Sequence, residues 1–312
     1  MMKKSVFGNI VALTIITSAS VFATGQDDMM LKDNTRSECG RIAVGKHNAI
    51  VLKENNRDVE LIGYDSQFRQ ISDSTRIRFV KLAMGSDGYM ALAENGRIYV
   101  SLDQEFNCCR RRLEELRDVI DIAASENYVV ALHTNGRVTC ICKSDSIEKS
   151  DVIANAVSQW NNIIQVACGY DFVVGLRSNG TLVSAGNDYY CPSWQGLVQF
   201  DAFSTDYLPL GQYGERFFVR QKHPTIALLN NGAVVSNFAE EVELWKDVTK
   251  VSVGHGYAVG LKRDGTVYAM GDEYFVRIVE SWKNVVDVEC NYLSAVALLS
   301  DGTVETTINK YL

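Results

Sequence analysis

The sequence predicts an all-β fold, a seven-bladed β-propeller, and two repeated features carry this prediction. A leucine recurs seven times, each time four residues before a turn position, and in six copies an Asn-Gly or Asp-Gly pair fills that position. Repeats of about 20 to 50 residues mark repeat architectures, and such pairs between apolar residues are a strong hairpin signal. The leucines are Leu52, Leu92, Leu132, Leu176, Leu228, Leu261 and Leu298, and the pairs are Asn95-Gly96, Asn135-Gly136, Asn179-Gly180, Asn231-Gly232, Asp264-Gly265 and Asp301-Gly302.

Each repeat is predicted to hold antiparallel strands A, B and C. Strand B carries the leucine, strand C follows the turn, and strand A has an apolar residue fourteen positions before the turn glycine, which selects Phe218 in the fifth copy. A fourth strand, D, is predicted before the next copy, for instance at Phe275 to Glu280, ending at Trp282; Trp160 and Trp245 share that column. Four short strands in each of seven repeats favour a propeller, because radial repetition leaves few exposed strand edges.

The N-terminal residues predict an exported protein. Lys3 and Lys4 precede an apolar run from Ile10 to Ile16, and Val21-Phe22-Ala23 offers a cleavage site, so residues 1–23 are interpreted as a secretory signal. The apolar run is shorter than the roughly 20 residues of a membrane span. We expect a secreted, periplasmic or cell-surface bacterial protein without a membrane span. Residues 36–312 hold the propeller, and residues 24–35 precede it, with a strand near Met29 to Lys32 as one candidate to close the ring.

The net charge of −7 argues against a nucleic-acid partner, whose phosphates require a basic surface. Export to an oxidising compartment permits disulfides. Cys168 and Cys290 share a column with apolar residues and are expected to be small buried residues. The other six cysteines are disulfide candidates of open connectivity: Cys39, Cys108, Cys109, Cys140, Cys142 and Cys191.

The sixth repeat carries a family resemblance. It reads Val251-Ser-Val-Gly254-His255-Gly-Tyr-Ala-Val-Gly-Leu261-Lys-Arg-Asp264-Gly265-Thr-Val267-Tyr-Ala-Met-Gly271, and it resembles the repeat of the regulator of chromosome condensation family, whose members are seven-bladed propellers. The resemblance extends over residues 36–308, with departures in copies five and one. Nucleotide exchange on a nuclear GTPase and chromatin binding are not implied for an exported acidic chain. In architecture and compartment the chain resembles secreted bacterial members such as the β-lactamase inhibitory protein.

No motif predicts catalysis. Gly-x-Ser-x-Gly, His-Glu-x-x-His and calcium-loop patterns do not occur, and the four histidines lack paired metal-ligand spacing. We therefore expect no catalytic residue, no metal and no cofactor. The column thirteen positions before the turn glycine is expected to line the central channel and to be mostly inert: Ala43, Ala83, Ala123, Ala167, Val219, Ser252 and Glu289.

The longest interval between repeats predicts the binding surface. Gly180 and Gly232 are 52 residues apart, so we expect a long loop, Asn187 to Gly214, after strand C of the fourth copy, on the same face as the turns between strands A and B. Asp171, Phe172 and His223 should reach this face and mainly satisfy turn backbone. Aromatic residues dominate protein-binding hot spots, although part of this loop is alternatively a strand with core aromatics. The candidate partner-binding residues are Tyr189, Tyr190, Trp194, Phe203, Tyr207 and Tyr213.

The expected function follows from this surface. The leading hypothesis is an exported, non-enzymatic, monomeric propeller that binds another protein through its long-loop face as an inhibitor, adhesion factor or virulence factor. The alternative is a propeller that binds a glycan or cell-wall polymer, because aromatic platforms also stack on sugars. A propeller enzyme is the third interpretation.

Overall fold

A computed structural model describes residues 40–45, 48–53, 58–63, 77–85, 88–101, 107, 109–143, 147–186, 192–203, 223–291 and 294–308. Within these residues the chain forms seven antiparallel sheets of three strands. The strands of each sheet follow one another in sequence, so each sheet is one repeat. We call the sheets blades one to seven and their successive strands A, B and C.

The strands are numbered β1 to β21 along the chain. Strand A is β1 (Ile42–Val44), β4 (Phe79–Met84), β7 (Val119–Ala124), β10 (Ile163–Cys168), β13 (Leu197–Ala202), β16 (Val248–Val253) and β19 (Val285–Asn291). Strand B is β2 (Asn48–Leu52), β5 (Tyr89–Ala93), β8 (Tyr128–His133), β11 (Phe172–Arg177), β14 (Thr225–Leu229), β17 (Ala258–Lys262) and β20 (Ser294–Leu299). Strand C is β3 (Val59–Gly63), β6 (Ile98–Val100), β9 (Val138–Cys142), β12 (Leu182–Gly186), β15 (Val234–Ser236), β18 (Val267–Met270) and β21 (Val304–Thr306).

The seven A strands form a closed ring. Each of them contacts strand A of the following blade, and β19 of blade seven contacts β1 of blade one. At this closure the Asp287 carboxylate oxygen Oδ2 accepts hydrogen bonds from the backbone N–H groups of Gly40 (3.0 Å) and Arg41 (3.1 Å). The predicted seven-bladed β-propeller is therefore confirmed.

The repeated leucines lie in the core between neighbouring blades. All seven are at most 5 % exposed. Leu132 of blade three shares a core cluster with Ile163 and Val166 of blade four, and Leu261 of blade six shares one with Val285 of blade seven. Burial of apolar surface is the main favourable contribution to folding, so the leucine column stabilises the stacking of blades.

The Asn-Gly and Asp-Gly pairs form the predicted B–C hairpin turns. In blade two the Asn95 side-chain oxygen accepts the N–H of Arg97 at 3.1 Å, and Gly96 has φ of 72°. In blade three, Asn135 and Gly136 repeat this arrangement. Asn and Asp suit these positions because their side chains bond to the backbone two residues later, and glycine tolerates positive φ.

Helices occupy the positions predicted for strand D, and the strand prediction at Phe275 to Glu280 is wrong. The helices are α1 (Arg110–Glu115), α2 (Ile147–Ser158) and α3 (Glu273–Val279), with a 3-10 helix at Glu240–Leu244. Asp272 caps α3 by accepting the N–H of Phe275 at 2.8 Å. Phe275 and Val279 are both fully buried, and a spacing of four residues places them on one helical face.

The three tryptophans that the sequence places in one repeat column occupy equivalent places in their blades. Trp160, Trp245 and Trp282 each follow one of these helices and donate their backbone N–H to the carbonyl three residues earlier, at 3.0 to 3.1 Å. All three side chains are buried. A Cβ atom added to Gly260 on strand B of blade six would lie 2.6 Å from the Trp245 ring. The small residue in that column is thus required by the tryptophan that packs on it.

Strand A of blade five lies earlier in the chain than predicted. β13 (Leu197–Ala202) pairs with β14, so the prediction of this strand around Phe218 is wrong. Counting back from the turn glycine fails in this blade because an insertion separates strands A and B. The residue before strand A has positive φ at Gly196 (72°), as it has at Asp118 (57°), and Gly and Asp tolerate this conformation better than most residues.

Glutamine side chains connect the A strands of blades four, five and six. Gln165 of blade four accepts the N–H of Phe200 in blade five at 3.2 Å and donates to its carbonyl at 2.8 Å. Gln199 of blade five bonds to Val251 of blade six in the same way, at 2.9 and 3.0 Å. Each amide therefore supplies one donor and one acceptor between separate sheets.

The predicted signal at residues 1–23, the segment 24–35 and the candidate strand near Met29 to Lys32 lie outside the described residues. In the part of the chain that the structure describes, no helix is long and apolar enough to cross a membrane.

Candidate functional site

In five other blades the turn between strands A and B contains four residues. In blade five an insertion stands in the place of this turn. In blade four, Gly169 N donates to Phe172 O at 3.0 Å, and four further blades form the equivalent hydrogen bond. In blade five, Phe203 N donates instead to Pro224 O at 3.0 Å. The same stem therefore encloses residues 204–223. The insertion leaves the scaffold between strands A and B, whereas the sequence predicted a loop after strand C of the fourth repeat.

The turns between strands A and B define one face of the ring, which we call the A–B face. The B–C turns and the starts of strands A define the opposite hairpin face. In blade three, for example, Val119 N at the start of strand A donates to the carbonyl of Gly96, the turn glycine of blade two, at 3.1 Å. The stem of the insertion, Phe203 and Pro224, thus lies on the A–B face, the face that the sequence predicts for binding.

Two of the predicted partner-binding residues lie in the described part of the chain. Trp194 is half-buried and packs against the cluster that contains Leu197 and Phe200. Phe203 is 9 % exposed and shares a cluster with Trp245. Both rings contribute to the core, as the alternative interpretation of this loop expects. Tyr189, Tyr190, Tyr207 and Tyr213 lie outside the described residues.

The stem of the insertion packs against blade four through His223. The His223 side chain is buried, its ring centre lies 4.9 Å from that of Phe172 in an edge-to-face arrangement, and its Nε2 lies 3.8 Å from Oδ1 of Asp171. The side-chain amide of Asn237 donates to the His223 carbonyl at 3.2 Å. The structure therefore brings together three residues that the sequence placed on this face, and they fix the base of the insertion.

The column predicted to line the channel divides into an apolar part and a polar part. In blades one to four it holds alanine at the inner edge of the ring, as predicted. In blades five to seven it holds Asp201, Ser252 and Glu289. Asp201 stands where the sequence count placed Val219, because strand A of blade five lies earlier. The expectation of an inert lining is therefore wrong for blade five.

These polar side chains connect three blades. Asp201 Oδ2 accepts hydrogen bonds from the Ser252 hydroxyl (2.8 Å) and the N–H of Val253 (2.9 Å) in blade six. Ser252 Oγ in turn accepts the N–H of Cys290 in blade seven at 3.0 Å. Two residues before Ser252, Lys250 places its Nζ 3.1 Å from Oε2 of Glu289. The Ser252 hydroxyl is therefore engaged with groups of the fold on both sides.

Burial changes the acidity of this cluster. Removal from water, and second the charge of Glu289, raise the pKa of Asp201 to about 7. Asp201 therefore changes its charge near neutral pH, although it accepts hydrogen bonds from protein donors. Since Ser252 bonds to Asp201 and to the backbone of Cys290, the arrangement links blades five, six and seven.

Comparisons with known proteins agree with the propeller fold. The family model described as "Regulator of chromosome condensation (RCC1) repeat" matches residues 163–190, which contain all three strands of blade four. Residues 163–190 thus resemble an RCC1 repeat. The fold of the whole ring, seven sheets in sequential order, is that of a β-propeller.

Solved structures match this propeller over most of its length. The CRINKLY WD40 ectodomain of the Arabidopsis thaliana receptor kinase ACR4 is 13 % identical, with 86 % of this chain and 94 % of that chain covered and a TM-score of 0.59. The ectodomain of the Physcomitrella patens receptor kinase CR4 is 14 % identical (85 % and 72 % covered, TM-score 0.60). Prp20p of Saccharomyces cerevisiae is also 14 % identical (80 % and 80 % covered, TM-score 0.52). A comparison with curated protein sequences finds no match.

Sequence reasoning missed Asp201 in this propeller, although a signal for it exists. The segment Gly196-Leu197-Val-Gln199-Phe200-Asp-Ala202 has the same pattern as Asn162-Ile163-Ile-Gln165-Val166-Ala-Cys168. Alignment on the polar residue of strand A, and not on the distance to the hairpin turn, would have placed both the strand and the insertion.

Proposed function

We propose that this protein is a non-enzymatic, exported propeller that binds another protein through the A–B face. The observation that carries the proposal is the hydrogen bond from Phe203 N to Pro224 O, which pins the base of a long insertion to a rigid stem. The stem thereby fixes both ends of this segment on the A–B face. Its sequence includes Tyr207 and Tyr213, a residue type common in binding hot spots.

Similar structures support a binding role. Prp20p binds Gsp1p and histones, and the propellers of ACR4 and CR4 belong to receptor ectodomains. Export of this chain is supported by the signal-like residues 1–23. Inhibition, adhesion and virulence are roles that the identity of the partner would distinguish. The engagement of Ser252 and Asp201 within the fold supports a non-enzymatic function.

The experiment is a cross-linked pull-down with the mature protein, read by mass spectrometry. One variant replaces residues 204–223 by Gly-Asp and thereby restores a four-residue turn, and a second carries Tyr207→Ala and Tyr213→Ala. The matched control is Tyr274→Ala, because this tyrosine lies on α3, at the outer side of blade six. We expect a partner that the wild type and the control retain and that both insertion variants lose.

Two outcomes would overturn the proposal. Equal capture of the same partner by the variant without the insertion would show that another surface binds. Retention of the wild type on insoluble polysaccharide, lost with the two tyrosines, would instead favour the glycan-binding alternative, because stacking on sugars uses the same residue type.

A further inference from the structure

Six strands A begin with a β-bulge on the hairpin face. In blades two to seven the pairing with strand B shifts by one residue near the start of strand A, for example between Val119 and Asp121. The bulge residue stands outside the ladder, and a bulge can redirect its side chain. The six bulge residues are Val80, Ile120, Ile164, Val198, Thr249 and Val286.

The bulge residues are largely aliphatic and differ in exposure. Val80 and Val198 are each 41 % exposed. Ile120, Ile164 and Val286 are half-buried and pack against the clusters between neighbouring blades. The A strands are arranged in a closed ring, so Val80 and Val198 present aliphatic surface on the hairpin face, at the innermost strands of blades two and five.

Basic side chains surround this ring, most clearly in blades two and three. Arg97 and Arg137 each directly follow a turn glycine and are exposed. Arg137 donates to the carbonyl of Ser158 at 2.6 Å, and Arg117 donates to the carbonyl of Glu114 at 2.7 Å. The guanidinium groups of Arg137 and Arg117 are held by neutral backbone acceptors, so these hydrogen bonds fix their positions without cancelling their charge.

Acidic residues on this face offset only part of the positive charge. In blades two and three they are Glu94, which pairs with Arg78 at 3.4 Å, Asp118, and Glu114, which lines a shallow cavity together with Arg97. The opposite face differs: among the described residues of the A–B turns and of the ends of strands C, the formally charged side chains are the acidic Glu126, Asp171 and Asp272 and the basic Lys143. A chain of net charge −7 thus concentrates basic side chains on its hairpin face, and such an uneven distribution orients a charged partner on approach.

We propose that the hairpin face is a second protein-binding surface, which takes an acidic polypeptide segment with an aliphatic side chain that packs on the exposed valines Val80 and Val198. Charge complementarity selects the acidic flanks. Among the described residues, Val80 and Val198 are the exposed large apolar side chains of this face, and isolated valines suit a single aliphatic side chain better than insertion into a bilayer. This surface is separate from the A–B face and does not depend on the insertion of blade five.

The test uses the mature full-length protein and a fluorescent peptide in which one leucine is flanked by glutamates. Fluorescence anisotropy gives the Kd. We expect binding that weakens by about tenfold or more between about 0.05 M and about 0.5 M NaCl, because exposed charges are screened. The double variant Arg97→Glu with Arg137→Glu should weaken it by at least about tenfold. Arg111→Glu, a 92 % exposed arginine on α1, is the matched control and should change the Kd less than about twofold.

Further variants make each part of the proposal falsifiable. The single variant Arg97→Glu leaves the hydrogen bond from Arg137 to Ser158 intact. It should weaken binding even if the double variant unfolds. Val80→Ser with Val198→Ser should abolish the preference for leucine over glycine at the centre of the peptide. Unchanged affinity after charge reversal, or binding to phosphatidylserine vesicles without binding to the peptide, would overturn the proposal. The variant without residues 204–223 should bind the peptide like the wild type, which separates this surface from the A–B face.

Discussion

Lys250 Nζ lies 2.6 Å from Oδ1 of Asp287, and this contact joins blade six to the blade that closes the ring. Asp287 is fully buried. Its other oxygen accepts the N–H groups of Gly40 and Arg41 in blade one. One carboxylate therefore connects blades six, seven and one, which makes it the central polar group of ring closure.

Replacing Asp287 by alanine should strongly destabilise the protein. The substitution removes the buried partner of Lys250 and the acceptor of two backbone N–H groups at the closure. Loss of one member of a buried ion pair costs about 3 to 5 kcal/mol. The measurement is the free energy of unfolding from urea titration. Glu94→Ala is the control, because Glu94 forms an exposed pair with Arg78, and surface pairs contribute about 0 to 1 kcal/mol. Similar losses in both variants would contradict the role of Asp287.

Asp201 should make the stability of the protein depend on pH. Burial and the charge of Glu289 raise its pKa to about 7, from 3.8 for an ordinary aspartate. Between these values the unfolded chain has released the proton that the native state retains, so the stabilising contribution is present below about pH 4 and is lost as the pH rises to about 7. Urea unfolding at about pH 5 and about pH 8 should therefore show lower stability at the higher pH.

Asp201→Asn is the variant that isolates this effect. An amide cannot ionise, so the decrease between the two pH values should become smaller. The amide also replaces an acceptor of the Ser252 and Val253 hydrogen bonds, and a uniform loss of stability is expected as well. The readout is therefore the difference between the two pH values. An equal pH dependence in the wild type and the variant would show that Asp201 does not titrate in this range.

The blade count and the hairpin turns could be predicted because they rest on local chemistry. Asn135-Gly136 forms its turn with its own backbone, and this signal is complete within a few residues. The leucine column, for example Leu132, marks the core because strand B is buried on both sides. The fold therefore follows from short patterns repeated at a nearly constant interval.

The predictions that failed depended on spacing across variable segments. Strand A of blade five was placed by its distance from Gly232, and the insertion after Phe203 invalidates that distance. Helix α3 was assigned as a strand because apolar residues were matched to a repeat with four strands, whereas Phe275 and Val279 have the spacing of a helical face. The basic hairpin face was missed because its arginines are far apart in sequence. They lie on one face only because the blades are arranged in a ring.

Gly260→Ala should destabilise blade six through a steric conflict. The added Cβ would lie 2.6 Å from the Trp245 ring, which is buried by neighbouring core residues. Overpacking of this kind costs about 1 to 3 kcal/mol, and the midpoint of thermal unfolding reports it. Gly175→Ala is the matched comparison, because its nearest contact to Trp160 would be 3.1 Å, and it should cost less. A larger effect at Gly175 than at Gly260 would contradict the packing that the tryptophan column shows.

The buried thiols should resist alkylation in the native protein. Cys140, Cys168 and Cys290 are free thiols, which for Cys140 differs from its prediction as a disulfide candidate. Burial raises the pKa of Cys168 to about 12 and raises the pKa of Cys290 well above its ordinary value. The thiolate is the nucleophile in alkylation, so iodoacetamide near pH 8 should leave both cysteines unmodified in the native state and react with both in concentrated urea.

Peptide mapping by mass spectrometry reads each site separately. Cys290 is the stricter test, because it is buried between blades six and seven, where its N–H bonds to Ser252, whereas Cys168 is half-buried at the end of β10. Access to Cys290 thus requires that these two blades separate. Asp287→Ala, which weakens the contact between the same blades, should accelerate native-state alkylation of Cys290 more than that of Cys168. Equal acceleration at both sites would indicate global unfolding instead of a local opening of the ring.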